Sequence, residues 1–291
     1  MMEIYIICPG CYVIKSGNEV FVYDLSYPFY GTALKGLLSG HLSMGKIDGI
    51  IISHYHYDHV GASSIIKKMR GNVGAVYSSG IYVGTGEPHY DLHDLWQTTF
   101  DAEVAKYNIP HVYVKQGDVI PSATMEINVL NPFAVDVNPP GTTDTPNDET
   151  EVLVQFKQGD FSIVLAGDCP SEHIINNVYP AMVSPGCTVL ALPHHGDNTW
   201  LVDGILNSTP AIGIIEGTSF VDSDVTADYL TSRGVIPIRL DYALSGINPP
   251  YTKANVYKRC KITGYADGTY EIDETLPYVM PCSRAGMVGG Y

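Results

Sequence analysis

Short apolar blocks separated by turn-forming residues open the chain: Ile4 to Cys8, Cys11 to Ile14 and Glu19 to Asp24, divided by Pro9-Gly10 and Ser16-Gly17-Asn18. Blocks of this kind predict an antiparallel meander. The pattern then alternates. A helical period over Thr32 to Leu38 precedes the strand Gly49 to Ser53, and a second over Ala62 to Met69 precedes the strand Val73 to Tyr77. A polar, aromatic helix spans about Asp91 to Tyr107, followed by strands at Val112 to Val114 and Thr124 to Leu130. A Pro/Thr/Asn/Asp-rich stretch, Asn131 to Thr150, is too long for a plain connection and reads as either functional or disordered. Beyond it come the hairpin Glu151 to Phe156 with Ser162 to Ala166, the strand Thr188 to Leu192, and a β-α-β unit of Ala211 to Ile215, Val225 to Arg233 and Pro237 to Leu240. A last pair is expected near Val256 to Thr263 and Thr269 to Ile272. Meander strands interspersed with helices predict an α/β fold of two mixed sheets packed face to face with helices outside, a four-layer αββα sandwich. No linker or repeat divides residues 1–291, so a single domain is expected.

Composition narrows the partners. With 45% hydrophobic and 16% charged residues the chain can bury a large core. Sixteen Lys+Arg against 31 Asp+Glu give a net charge of −15, which disfavours long nucleic acid as a partner. The uncharged apolar runs fall far short of the roughly 20 residues of a membrane helix. Met1-Met2-Glu3-Ile4 carries an acid where a secretory signal is basic, so a cytoplasmic protein with no membrane partner is expected. Six scattered cysteines read as buried thiols, and Cys8-Pro9-Gly10-Cys11 as a tight turn between strands.

The strongest chemical signal is Ser53-His54-Tyr55-His56-Tyr57-Asp58-His59, directly after an apolar strand. At a strand tip His54 and His56 point to one side, and a turn beyond them lets Asp58 and His59 swing toward a second nearby point. Imidazole and carboxylate suit zinc, with iron and manganese also accepted. Two further strands end in similar chemistry, Ile163 to Ala166 before Gly167-Asp168, and Val189 to Leu192 before Pro193-His194-His195-Gly196. Adjacent histidines cannot face the same way, so one is expected to bind metal and the other to address substrate. Cys169 points away from its neighbour Asp168 and is not expected to be a ligand.

Through His54-x-His56-x-Asp58-His59, Gly167-Asp168 and His195 the chain resembles the metallo-β-lactamase superfamily. Asn147-Asp-Glu-Thr150, Leu165-Ala-Gly-Asp168 and Pro193-His-His-Gly196 look like the ComEC-like branch, which holds the hydrolase domain of a competence protein and related phosphodiesterases. The resemblance implies the metallo-β-lactamase fold and two divalent metal ions, with His54 and His56 on the first, Asp58, His59 and His195 on the second, and Asp168 bridging. It also implies that Asp24 props up the metal loop, and that His194 donates a proton or holds a phosphoryl oxygen. Asp58 and His194 are the candidate catalytic residues. The chain departs from the family where many relatives supply one more histidine to the first metal. Here that stretch offers Asn147, Asp148 and Glu149, with His89, His93 and His111 as distant substitutes. It departs from the branch at Asp197, usually serine, and at Val221-Asp-Ser-Asp224, usually Ser-His-Pro.

The expected activity is hydrolysis of a phosphoester, most simply a small-molecule phosphodiester, by a hydroxide bridging two cations that lower its pKa. Tyr55, Tyr57, Tyr82, Tyr90 and Trp96 either pack in the core or wall a site for a base or a cationic headgroup. The alternatives are a carbonyl hydrolase on the same scaffold, opening a lactone, thioester or β-lactam, and a metal-stabilised binding protein.

Overall fold

In strand β1 (Met2–Cys8) the residues Met2, Ile4 and Ile6 enter one apolar cluster while Tyr5 enters another, because successive side chains leave a strand on opposite faces. A register shift between Ile6 and Cys8 then turns Cys8 to the Tyr5 side. Strands β2 (Cys11–Ser16) and β3 (Glu19–Tyr23) repeat the division, with Tyr12, Ile14, Phe21 and Tyr23 on one face and Val13, Val20 and Val22 on the other. Strands apolar on both faces must be covered on both. That requirement generates the layers.

The computed structural model describes residues 1–8, 10–80, 90–131, 151–181, 186–197, 202, 204–217, 223–241, 256–257 and 260–273. After the meander come helix α1 (Gly31–Lys35), continued by a wider turn over Gly36–His41, strand β4 (Ile47–Ile51), and helices α2 (Tyr57–Val60) and α3 (Ser64–Lys68). Strand β5 (Val73–Ser78), helix α4 (Tyr90–Lys106) and strand β6 (His111–Tyr113) follow. The second half holds β7 (Glu126–Asn131), β8 (Leu153–Gln158), β9 (Phe161–Leu165), the short α5 (Ser171–His173), β10 (Val189–Ala191), β11 (Ile212–Gly217), α6 (Ser223–Ser232) and β12 (Ile236–Asp241). Strands β13 (Val256–Tyr257), β14 (Cys260–Gly264) and β15 (Tyr270–Asp273) complete the described elements.

Among the described residues one sheet has the order β15-β14-β1-β2-β3-β4-β5-β6 and the other β13-β12-β11-β10-β9-β8-β7. Both are mixed. The meander and hairpins pair antiparallel, while β3, β4, β5 and β6 run parallel, as do β9 through β13. The inner faces meet in a core containing Phe21, Phe156, Phe161 and Ile214, and the outer faces are covered separately by two further apolar clusters. This is the αββα sandwich expected from the pattern.

Two expectations change in detail. The block from Val256 to Thr263 is two strands in different sheets, β13 pairing with β12 and β14 with β1. The helix expected from Ala62 is preceded by α2, a turn that starts inside the histidine motif because His56 is extended, at φ −66° and ψ 153°, and so ends the strand-like run. Residues 132–150 lie outside the described residues, so Asn147, Asp148 and Glu149 do as well. Among the described residues no helix is long and apolar enough to cross a membrane.

Candidate metal centre

The chemistry gathers where parallel strands of both sheets end. From the first sheet, β4 runs into Ser53 and the histidine motif. From the second, β9 delivers Gly167-Asp168 and β10 delivers Pro193-His194-His195. The two edges are tied directly, since Val152 N donates to Ser53 O at 3.0 Å and Tyr23 Oη to Val152 O at 2.9 Å. Three strand ends thus converge on one place.

Two groups of possible ligands result, His54 with His56 and Asp168, and Asp58 with His59 and His195, the ligating atoms of each lying within 4.8 Å of one another. Asp168 reaches both. Its Oδ2 is 3.9 Å from His54 Nε2 and 3.4 Å from His59 Nε2, and its Oδ1 is 3.7 Å from His195 Nε2. Asp58 Oδ2 lies 3.5 Å from His195 Nε2. The six residues singled out in the sequence as ligands are therefore brought together. His54 Nε2, His59 Nε2 and Asp168 Oδ1 are buried there without a hydrogen-bond partner. Convergent buried polar atoms of this kind, all imidazole nitrogens or carboxylate oxygens, fit divalent cations.

Three buried carboxylates stand behind the histidines. Asp24 lies 2.8 Å from His59 Nδ1 and accepts from Ser53 N at 2.7 Å and Ser53 Oγ at 2.6 Å, the propping role the resemblance implies. Glu216 lies 2.8 Å from His195 Nδ1 and accepts from Gly10 N at 2.6 Å. Glu151 Oε1 is 3.1 Å from His54 Nδ1, while its Oε2 accepts from Asp168 N at 2.8 Å. A carboxylate on Nδ1 fixes the ring and its tautomer and leaves Nε2 as the ligand. Glu151 and Glu216 are absent from the sequence reading. For Glu216 a signal existed, because Ile212, Ile214 and Glu216 fall on one face of β11 and an acid there must enter the interior.

Local backbone supports the placement. Asp24, His194 and His195 have positive φ, at 53°, 49° and 59°. The two left-handed residues in succession separate the histidines, so that His195 is buried while His194 keeps 25% side-chain exposure, 3.6 Å from Asp197 Oδ2. Gly10, at φ 58°, is the turn between β1 and β2, whose Cys8 and Cys11 pair across the hairpin. A Cβ on it would meet Asp58 O at 3.0 Å and the rings of His59 and His195. Gly10 of the expected turn therefore lines the centre.

Electrostatics follow from crowding. Burial, with the neighbouring His59 and His56, holds the His54 imidazole well below its ordinary range. Burial opposes ionisation of Asp58, but His195 and His59 outweigh it and lower the carboxyl to about 2. Asp168 is likewise held well below the carboxylate range, because His59 and His195 overcome its burial.

Other candidates fall elsewhere. Cys169 is buried in the cluster outside the second sheet. His111 contacts Ser78 Oγ at 2.9 Å and Asp101 at 3.8 Å, outside both ligand groups. His89 lies outside the described residues, and His93 is on α4 with its side chain not described.

Comparison with known proteins agrees with this architecture. No curated protein sequence matches the chain significantly. Solved structures with a similar fold include CmlA, a diiron β-hydroxylase from Streptomyces venezuelae, at 14% identity and TM-score 0.55, covering 82% of this chain and 52% of that one. The chain thus spans about half the length of that protein. Another is the metallo-β-lactamase fold protein YhfI from Bacillus subtilis, at 15% identity and TM-score 0.49, covering 81% of this chain and 95% of that one. The sequence model of the metallo-β-lactamase superfamily matches residues 11–161, which carry the histidine motif and over half of the 291 residues. With that match, the αββα sandwich and the paired His/Asp groups at its edge, the chain belongs to the metallo-β-lactamase superfamily.

Proposed function

We propose that this metal-dependent hydrolase acts on phosphoesters, with a small-molecule phosphodiester as the substrate class, and holds two divalent ions. The observation that carries the reading is the Asp168 carboxylate set between two groups that each contain two histidines. His54, His56 and Asp168 would hold one ion, and Asp58, His59 and His195 the other, with Asp168 shared. Such a pair supplies Lewis acidity toward phosphoryl oxygens and lowers the pKa of water, the two requirements of in-line displacement at phosphorus. Zinc matches the histidine content, and manganese or iron also suits the mixed ligands.

The chain's own groups do the rest. Asp24, Glu151 and Glu216 keep three imidazoles oriented with Nε2 toward the centre. His194, which keeps 25% side-chain exposure, would hydrogen-bond a phosphoryl oxygen or return a proton to the leaving group. The ComEC-like pattern at Asn147 to Thr150, Leu165 to Asp168 and Pro193 to Gly196 supports the phosphodiester class. An acidic protein of net charge −15 favours a small ester over long nucleic acid.

Elemental analysis paired with turnover of bis-p-nitrophenyl phosphate, a thioester and nitrocefin tests the reading. Two metals per chain are expected, with phosphodiester turnover that falls at least a hundredfold in Asp168→Ala. Turnover confined to the thioester or nitrocefin would replace the phosphoester reading with the carbonyl one.

A further inference from the structure

Tyr57 sits between His56 and Asp58, residues of the two different ligand groups, yet 45% of its surface is exposed. It is not loose. Its ring packs edge-on to Tyr27 at 4.8 Å and 73°, and lies 6.0 Å from Trp96 at 38°. Tyr27 is in turn packed on Tyr30 at 6.5 Å, and Trp96 of α4 rests against the apolar cluster outside the first sheet. The aromatics of the core behave differently. Tyr23, Phe21 and Phe100 are at most 1% exposed, and Tyr55, read from the sequence as either core or substrate wall, is buried with its hydroxyl donating to Ser78 Oγ at 3.1 Å. Tyr82 lies outside the described residues and the Tyr90 side chain is not described. What remains is a fixed, half-exposed ring flanked by two supporting rings on the motif that carries the ligands.

We propose that Tyr57, supported by Tyr27 and Trp96, forms a subsite beside the metal centre for a flat aromatic group, so that the substrate is an aryl or nucleoside phosphoester. The assignment rests on the phosphoester reading above. An aromatic ring already held by neighbours loses little conformational freedom when a second ring stacks on it, which makes stacking effective. Any planar π-face serves, so this subsite selects for aromaticity and discriminates weakly among bases.

The test uses two phosphodiesters with the same 4-nitrophenyl leaving group, one carrying a methyl ester and the other a 1-naphthyl ester. The quantity read is the naphthyl-to-methyl ratio of kcat/KM, because intrinsic reactivity cancels when wild type and variants are compared. In Tyr57→Leu the ratio is expected to fall about tenfold, and in Trp96→Leu by a smaller factor, through KM for the naphthyl ester. Metal content is measured for each variant, so that loss of the centre is recognised. Calorimetric binding of 1-naphthyl phosphate against methyl phosphate to the metal-loaded protein supplies a second readout that needs no turnover. An unchanged ratio in both variants, with metal content intact, overturns the subsite. Absence of turnover of either diester overturns the phosphoester reading instead. In that case equal binding of the two monophosphates overturns the subsite too, while a naphthyl preference lost in Tyr57→Leu upholds it.

Discussion

Gly167 has φ 55°, and a Cβ there would collide with Glu151 Oε2, the atom that accepts from the Asp168 amide. A side chain at this position must displace Glu151 or twist the strand end that presents Asp168. Gly167→Ala is therefore expected to cost about 1–3 kcal/mol in urea unfolding and to weaken metal binding. Glu151→Gln keeps an acceptor for the amide but removes the charge facing His54, and should lower affinity for the first ion by about 10- to 100-fold. Competition against a graded chelator, with elemental analysis of the product, measures both. These residues also show what a sequence can reveal. The six ligand candidates were legible because ligands crowd into short motifs at strand ends, and Asp24 through the family resemblance. Glu151 looked like the first residue of a hairpin, since its partners His54 and Asp168 come near it only after the two sheets pack.

Glu19, at the start of β3, reaches across to the segment before β7. Its carboxylate accepts from Ser122 Oγ at 2.7 Å, Thr124 Oγ1 at 2.6 Å, and the amides of Ala123 and Thr124 at 2.9 Å each. Burial opposes ionisation, but these donors outweigh it and hold the carboxyl below its ordinary range. A depressed folded-state pKa contributes stability above the unfolded value near 4.3, and that contribution is lost as pH falls through the folded value. Glu19→Gln should thus cost about 1 kcal/mol at pH 7, with the gap to wild type narrowing below about pH 4 in urea titrations. At this scale strands were more legible than helices. Double-sided apolar blocks such as Val20 to Tyr23 admit little else, whereas α1, α2, α3 and α5 are too short to show a period, and α2 starts after the extended His56. The division of β13 from β14 was hidden because neighbouring β-rich blocks look alike whichever sheet they join.

Phe21 from one sheet and Phe156 from the other meet edge-on at 6.2 Å in the inner core, both buried. Phe156→Ala should cost about 3–5 kcal/mol, read as a lower urea midpoint at unchanged m-value. The core owes nothing to metal ligands, so chelation is expected to leave the far-UV dichroism intact while lowering Tm, and restoring divalent ion should reverse the shift by linkage. Collapse of the secondary structure on chelation would contradict that division between core and centre. The centre is also where distant parts of the chain are stitched together. Gly10 donates to Glu216, 206 positions away, and Val152 donates to Ser53 across the two sheets. Each stitch closes a long loop, and its amide exchanges with solvent only when that stitch opens. At this rim the sandwich cannot breathe without dismantling its reactive groups, so slow hydrogen exchange at Gly10 and Val152 would mark the edge that parts last.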